Sequence, residues 1–386
     1  MATSAAELRR EAVRRRLAGE SPEEIARSLA RSRRWVAKWV GRHDPADPGW
    51  AEGAKRGPKR APNRTPASVE AQVLAVRERL VANPWAQIGA DAIAWELGKL
   101  GVEPPPRRTI EQILIRAGAS KRPRRERRKP KGVPYPAPVG ERAGEVHEAD
   151  LVGPRHLGGG VRFYALNTID LASHRAGIEV VPDNSDERVA GALVALWKRL
   201  GLPVRLKLDN GGPFVGPRGL GLVARLCLHQ GVIPHFVPPR EPWRNGTVEH
   251  FNDTFDKRFF RQERFATLTH LAERALAFET FHNGNHRYRA SGGRTPAESG
   301  EGDPRPPRPL AELPAGWPAT GRVEFIRFIR SDRKLRLLNR AITMPDTVVY
   351  EYVTAVLDLA APPEGNLRVL REGEIVATAS IKIGGR

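Results

Sequence analysis

Three carboxylates in this chain stand where they could act together. Asp150 lies in HEADLVGP, a strand-like stretch with apolar neighbours. Asp209 closes a second strand-like stretch in LKLDNGGPF, at the mouth of a Gly-rich turn. Glu249 sits in WRNGTVEHFN, one turn into a helix that follows a Pro-rich loop, Val237–Trp243. Ends of adjacent strands and a helix start can converge on one spot. Three carboxylates there would repel strongly unless divalent cations lay between them. Hard oxygen ligands with open water positions suit Mg²⁺ or Mn²⁺. Two such ions, about 4 Å apart, can activate a nucleophile and steady the leaving oxygen of a phosphodiester displacement. Taken singly, each acid has a plainer explanation. Asp before Asn-Gly-Gly is commonly a turn residue, and a helical Glu commonly lies on a solvated face. Glu148 shares the strand face of Asp150, so it is either an extra ligand or, the favoured expectation, a structural residue.

The elements that must carry these acids are legible from residue patterns. Val146–Val152, Val161–Asp170 and His174–Val181 read as consecutive strands with short turns. Ser185–Leu200 reads as an amphipathic helix, Val204–Leu208 as a short strand, Gly219–Gln230 as a helix and Val232–Phe236 as another strand. A helix starts near Gly246, and Leu268–His282 forms a further amphipathic one. Strands followed by alternating helices and strands make a mixed α/β layer fold.

The order of motifs narrows the function. A strand Asp is followed 59 residues later by Asp-Asn-Gly at a strand end, and 40 residues further on by Asn-Gly-x-x-Glu opening a helix. This set resembles the catalytic core of the retroviral integrase and insertion-sequence transposase superfamily, the DDE recombinases with an RNase H-like fold. The resemblance covers about Glu145 to Glu298. It includes FHNGNHRYRASGGRTPAE, which looks like the family's ending, Tyr-Asn-x-x-Arg-Pro-His…Thr-Pro. It implies that Asp150, Asp209 and Glu249 are the catalytic and metal-holding acids. Asp150 and Asp209 would share one Mg²⁺ or Mn²⁺, and Asp150 and Glu249 would hold the second. A metal-bound water would cut the 3′ strand at each transposon end, and the freed 3′-OH would attack target DNA. Asn210 and Asn245 match the motif's neighbours. They either shape the pocket and touch DNA or serve as turn and helix caps. Two departures stand out. The ending motif lacks its Pro, and His-Glu-Ala precedes Asp150 where a Trp often stands in the family. Neither removes a carboxylate.

Charge points to the same partner. The chain has 386 residues, 64 Lys+Arg, 44 Asp+Glu and a formal net charge of +20. Residues 1–132 hold 30 basic and 15 acidic residues, so the first third carries a net +15. An excess of this size implies a polyanionic partner, and nucleic acid is the commonest. Hydrophobic content of 40% suits a globular chain, and a single cysteine, Cys227, excludes an intramolecular disulfide and a Cys-based zinc site. The zinc-binding N-terminal domain of retroviral integrases is therefore missing, which places the chain nearer to bacterial insertion-sequence transposases. No apolar run is long enough for a membrane span, and the N-terminus lacks a signal-peptide core. A cytoplasmic, nucleoid-associated protein with no membrane partner is expected.

The N-terminal third reads as all-α. Ala6–Ala18 is a first helix, Ser21-Pro22-Glu23-Glu24 caps a second, and Ser32 caps a third. Trp35 and Trp39 would pack inward, leaving Arg33, Arg34 and Lys38 for DNA. This is a helix-turn-helix arrangement whose last helix enters the major groove, or else a plain three-helix domain. A similar pattern recurs in Thr65–Ala82, Gly89–Leu100 and a helix capped by Thr109 with Gln112 at the box position. This second unit binds DNA or contacts protein. Between it and the core lies KRPRRERRKPKG, eight basic residues in twelve. There Arg124, Arg125, Arg127 and Arg128 either lie along DNA phosphates or form a solvated tether.

Beyond a second linker, short alternating segments from Gly321 to Ala379 read as a small β-barrel. It resembles the SH3-like barrel that follows the core in this superfamily. Arg327, Arg330, Arg333, Lys334 and Arg336 either face DNA backbone or form an ordinary basic surface. The expected organisation is helix-turn-helix 1–45, basic linker 46–64, second helix-turn-helix 65–120, basic linker 121–142, RNase H-like core 143–300, linker 301–317 and barrel 318–386. The function expected is a DNA transposase, acting as a dimer or tetramer because two transposon ends need at least two protomers. The alternatives are a catalytically silent DNA-binding regulator derived from one, and a nuclease that only cuts.

Overall fold

The computed structural model describes residues 4–52, 64–121, 133, 135–216, 220–300, 304–360 and 364–382. Arg124, Arg125, Arg127 and Arg128 lie outside them. The chain divides into two units, Met1–Pro66 and Ala67–Arg386. No helix among the described residues is long and apolar enough to cross a membrane.

The first unit holds α1 (Ala5–Leu17), α2 (Pro22–Ser28) and α3 (Arg33–Val40). Ser4 with Glu7 and Ser21 with Glu24 form reciprocal capping boxes, and the Ser32 hydroxyl accepts from the Trp35 amide. Ala12, Ile25, Ala26 and Val36 make the core. Trp39 is buried as expected, but Trp35 is only half-buried. Four positions apart is about 40° past a full turn of helix, and Val36 takes the central place instead.

The second unit begins with α4 (Ala67–Ala82), α5 (Ala90–Lys99) and α6 (Arg107–Arg116), packed through Val73, Ile93, Leu97, Ile110 and Ile113. The expected Thr109 cap is not used. α6 starts at Arg107, directly after Pro106, and has no side-chain cap. Prolines 104–106 hold the chain extended, so the helix begins as soon as they end. These helices dock on the α/β core through Trp85. Its ring packs edge-on against Phe259, Phe278 and Phe281, and its Nε1 donates to Glu263 at 2.9 Å.

The core contains β1 (Val146–His156), β2 (Arg162–Asp170), β3 (Ala176–Val181), α7 (Asp186–Leu200), β4 (Arg205–Leu208) and the single turn α8 (Gly212–Val215). It continues with α9 (Leu222–His229), β5 (Ile233–Phe236), α10 (Gly246–Thr254), α11 (Leu268–Asn285) and the single turn α12 (Pro296–Ser299). β6 (Thr320–Phe328), β7 (Lys334–Leu337), β8 (Arg340–Thr343), β9 (Tyr352–Ala360), β10 (Glu364–Arg371) and β11 (Glu374–Lys382) follow. β1, β2 and β3 pair antiparallel, while β1, β4 and β5 pair parallel. α7 and α9 cover one face of this sheet, and α10 and α11 cover the other. The β3 edge is closed by α11. Asn283 bonds both the amide and the carbonyl of Ala176, and Glu279 accepts from the Ile178 amide.

The C-terminal strands correct an expectation. They do not stand apart as a barrel. β6 pairs parallel with β5, and the sheet runs in the order β11-β10-β9-β6-β5-β4-β1-β2-β3, with β7–β8 as a separate hairpin. The reason is local. β5 would otherwise leave a bare edge beside a row of apolar side chains, and Phe325 of β6 stacks on Phe236 of β5.

Candidate active site

Strand alternation sorts the core sheet into two faces. On one, Ala149, Leu166, Leu206, Leu208, Phe236 and Phe325 join the apolar cluster beneath α7 and α9. Their neighbours in sequence therefore face α10, and many are polar. Asp150 stands on β1, directly opposite Asn167 of β2. Asp209 follows the last residue of β4. Glu249 lies in the first turn of α10.

Asp150 lies within electrostatic reach of the other two acids. Burial pushes the Asp150 carboxyl above its ordinary value, and the charges of Asp209 and Glu249 push it further. The hydrogen bond from Asn252 Nδ2 to Asp150 Oδ2, at 2.6 Å, works the other way. Asn167 in turn donates to Asn252 Oδ1 at 2.8 Å, so β2, α10 and β1 are linked through two amides. Asp209 Oδ1 accepts from the Gly211 amide at 2.8 Å. A Cβ at position 211 would stand 2.9 Å from that same oxygen, so a larger residue there would displace the Asp209 carboxylate. Glu249 is exposed and makes no hydrogen bond or ion pair among the described residues.

Among the described residues, no three or more His, Cys, Asp or Glu side chains stand ready to hold a metal ion. The donor chemistry nevertheless suits one. Burial raises the Asp150 carboxyl most, and the carboxylate charges that add to it are what a hard cation between them would offset.

Glu148 is not an extra ligand, because both its oxygens are engaged elsewhere. Oε1 accepts from Lys207 Nζ at 2.7 Å, and Oε2 accepts from the Thr247 and Val248 amides at 3.0 and 2.9 Å. A carboxylate from the sheet thus caps α10. Asn245, at the N-cap position, makes no capping bond; it is 3% exposed and both its polar side-chain atoms lack partners among the described residues. Asn210 bridges the β4 end to the loop beyond β5, donating to the Val237 carbonyl at 2.6 Å. It also accepts a long bond, 3.4 Å, from Arg327 of β6. Arg33, Arg34 and Lys38 are exposed on α3, with Arg33 paired to Glu23 at 2.8 Å. Arg333 pairs with Asp346 and Arg336 with Asp332, while Lys334 donates to Thr343.

The residues missed at the sequence level are Asn252, Asn167 and Lys207. A signal for Lys207 was present. Lys207-x-Asp209 repeats the spacing of Glu148-x-Asp150, which places an opposite charge at the same depth of a neighbouring strand.

Comparison with known proteins bears on part of this region. Residues 230–296 match the family model for the integrase core domain, a span that contains Glu249 but neither Asp150 nor Asp209. No curated protein matches the chain in sequence. Among solved structures, the catalytic core domain of HTLV-2 integrase in complex with magnesium is 13% identical at a TM-score of 0.34, covering 42% of this chain and 100% of that one. The catalytic core domain of BIV integrase is 20% identical at a TM-score of 0.32, covering 40% and 93%. The simian T-cell lymphotropic virus intasome, in complex with PP2A regulatory subunit B56 gamma, is 13% identical at 0.38, covering 76% and 92%.

Proposed function

We propose that this chain, a member of the integrase and transposase catalytic-core superfamily through residues 230–296, is a DNA transposase that cuts transposon 3′ ends and joins them to target DNA. What supports the proposal is Asp150 on β1: burial raises its carboxyl, and the charges of Asp209 and Glu249, carried by two other elements, raise it further.

Asp150, Asp209 and Glu249 would hold the two Mg²⁺ or Mn²⁺ ions. When bound, the ions supply Lewis-acid charge at the phosphate and at the attacking and leaving oxygens. The protein's own part is positioning. Asn252 fixes the Asp150 carboxylate, the Gly211 amide fixes Asp209, and the exposed Glu249 closes the set from α10. The chemistry is two in-line displacements at phosphorus. In the first, water breaks the bond to the 3′ oxygen and leaves a free 3′-OH. In the second, that 3′-OH attacks a target phosphodiester and displaces its 3′ oxygen. No protein side chain forms a covalent intermediate, so the rate comes from orientation and charge placement.

DNA recognition belongs to the basic regions. α3, with Arg33, Arg34 and Lys38, reads the terminal inverted repeats as the last helix of a helix-turn-helix. The stretch with Arg124, Arg125, Arg127 and Arg128 follows the phosphates, and Asn210 and Asn245 shape the pocket floor. Two ends require at least two protomers, so the working form is a DNA-bound dimer or tetramer.

The test is strand transfer on a pre-cut transposon end with Mg²⁺ or Mn²⁺, comparing the wild type with Glu249→Gln. Joined product that vanishes in the variant is the expected outcome. No product from either protein, with tight end binding retained, would point instead to the silent DNA-binding regulator.

A further inference from the structure

A buried charged row lies directly beneath the three acids. Glu148 of β1, Lys207 of β4, His235 of β5 and Glu324 of β6 are cross-strand partners in register, and all four face away from the apolar α7/α9 cluster. Glu148 and Lys207 are 2% and 4% exposed. Each stands two residues before an acid: Glu148 before Asp150, Lys207 before Asp209. Their bonds reach the third element as well. Glu148 holds the Thr247 and Val248 amides, just before Glu249, and Lys207 Nζ donates to the Arg244 carbonyl at 2.5 Å.

Stability alone gives this pair little reason to exist. Taking two charges out of water is expensive, and apolar residues of similar size commonly serve as well or better in such places. What the pair does supply is direction. Charge-assisted bonds are short and geometrically demanding, and a carboxylate at a helix N-terminus is favoured by the helix dipole. Glu148 and Lys207 therefore set the distance between β1, β4 and the start of α10.

We propose that Glu148 and Lys207 are a positioning pair, which fixes the spacing of Asp150, Asp209 and Glu249 by tying the three elements that carry them within two residues of each acid. The inference rests on the transposase reading, because it assigns those acids a shared cation. Neither residue touches DNA or a metal. Both act through the acids.

The test uses the full chain and reads three quantities: the melting temperature without divalent cation, Mn²⁺ affinity from electron paramagnetic resonance titration, and strand transfer. Lys207→Met leaves Glu148 buried without its cation, and should lose both stability and Mn²⁺ binding. The double variant Glu148→Gln/Lys207→Met removes both charges and keeps an amide oxygen as a cap. Its melting temperature should recover towards the wild type. Its Mn²⁺ affinity should still fall on the order of 10–100-fold, as when outer-shell partners of metal ligands are lost, with strand transfer falling alongside. A second variant covers the case in which the double variant does not fold. Thr247→Pro deletes one amide bonded to Glu148 at a first-turn position, where a helix tolerates proline. It should weaken Mn²⁺ binding without lowering the melting temperature.

Wild-type Mn²⁺ affinity in a folded double variant, or in Thr247→Pro when the double variant is unfolded, overturns the positioning role. A wild type that binds Mn²⁺ but joins no ends overturns the transposase reading alone, and the affinities still decide the positioning pair. A wild type that binds no Mn²⁺ overturns both.

Discussion

Asp150 is the residue at which function and stability pull apart. Its carboxyl is raised above its ordinary value, first by burial and then by two neighbouring carboxylates. In the folded state it therefore keeps its proton over a pH range in which the unfolded chain has already released it. Stability consequently falls as pH rises through that window, and at neutral pH the ionised group is a net cost. Asp150→Asn should raise the melting temperature at pH 7 in EDTA while abolishing strand transfer, and a thermal melt beside a joining assay checks both. An unchanged or lower melting temperature would mean that the three acids do not repel one another as the fold implies. Glu249→Gln should leave the unfolding free energy within about 0.5 kcal/mol of wild type, because its side chain is exposed and makes no hydrogen bond or ion pair among the described residues. Sites that sacrifice stability for chemistry commonly behave in this way.

At the scale of elements, the join between β5 and β6 decides whether the C-terminal strands belong to the core. Glu324 of β6 meets His235 Nδ1 at 3.0 Å and Arg205 Nε at 3.1 Å. Burial pushes the Glu324 carboxyl up, but hydrogen bonds and charge from His235 and Arg205 outweigh it and hold it at about 2. His235 itself is lowered, chiefly by burial, and its Nε2 has no hydrogen-bond partner among the described residues. Arg205 is thus the lasting positive charge in the cluster. A depressed carboxyl contributes stability that is complete above 4.5 and is lost as pH falls towards about 2. The lowered histidine loses stability in the same direction, as pH falls below 6.5. Glu324→Gln should therefore be less stable than wild type at pH 7, and should lose less on going from pH 7 to pH 3. Urea unfolding at the two pH values measures this, and an equal loss in both proteins would remove Glu324 from the account.

On the scale of the whole molecule, the net charge of +20 governs how DNA is met. Each phosphate neutralised releases condensed counterions, so affinity falls steeply with salt. Replacing Arg124, Arg125, Arg127 and Arg128 with alanine should flatten the slope of log K against log salt by about 3–4, at roughly 0.9 per phosphate contact. A slope unchanged by the substitution would make the stretch a plain tether. Light scattering of the end-DNA complex should give at least one protomer for each bound end, and a single protomer on paired ends would exclude the dimer or tetramer.

The sequence by itself determined the order of most elements, the helix caps at Ser21 and Ser32, and which acids could meet. Such features are written in short-range patterns: strand alternation, capping boxes, and an Asp-Asn-Gly turn in which glycine makes room for the Asp209 carboxylate. Asp209 follows a strand end and Glu249 opens a helix, whereas Asp150 stands within β1 opposite Asn167. Only the tertiary structure decided what lies two residues beneath them. Glu148, Lys207, His235 and Glu324 are far apart along the chain, and parallel register alone brings them into one row. The same holds for the cap of α10. The local candidate, Asn245, stands at the N-cap, yet the amides bond Glu148 from a strand some hundred residues earlier. The C-terminal strands were visible as strands but not as part of the core sheet, since an edge strand takes whichever partner the fold delivers to it.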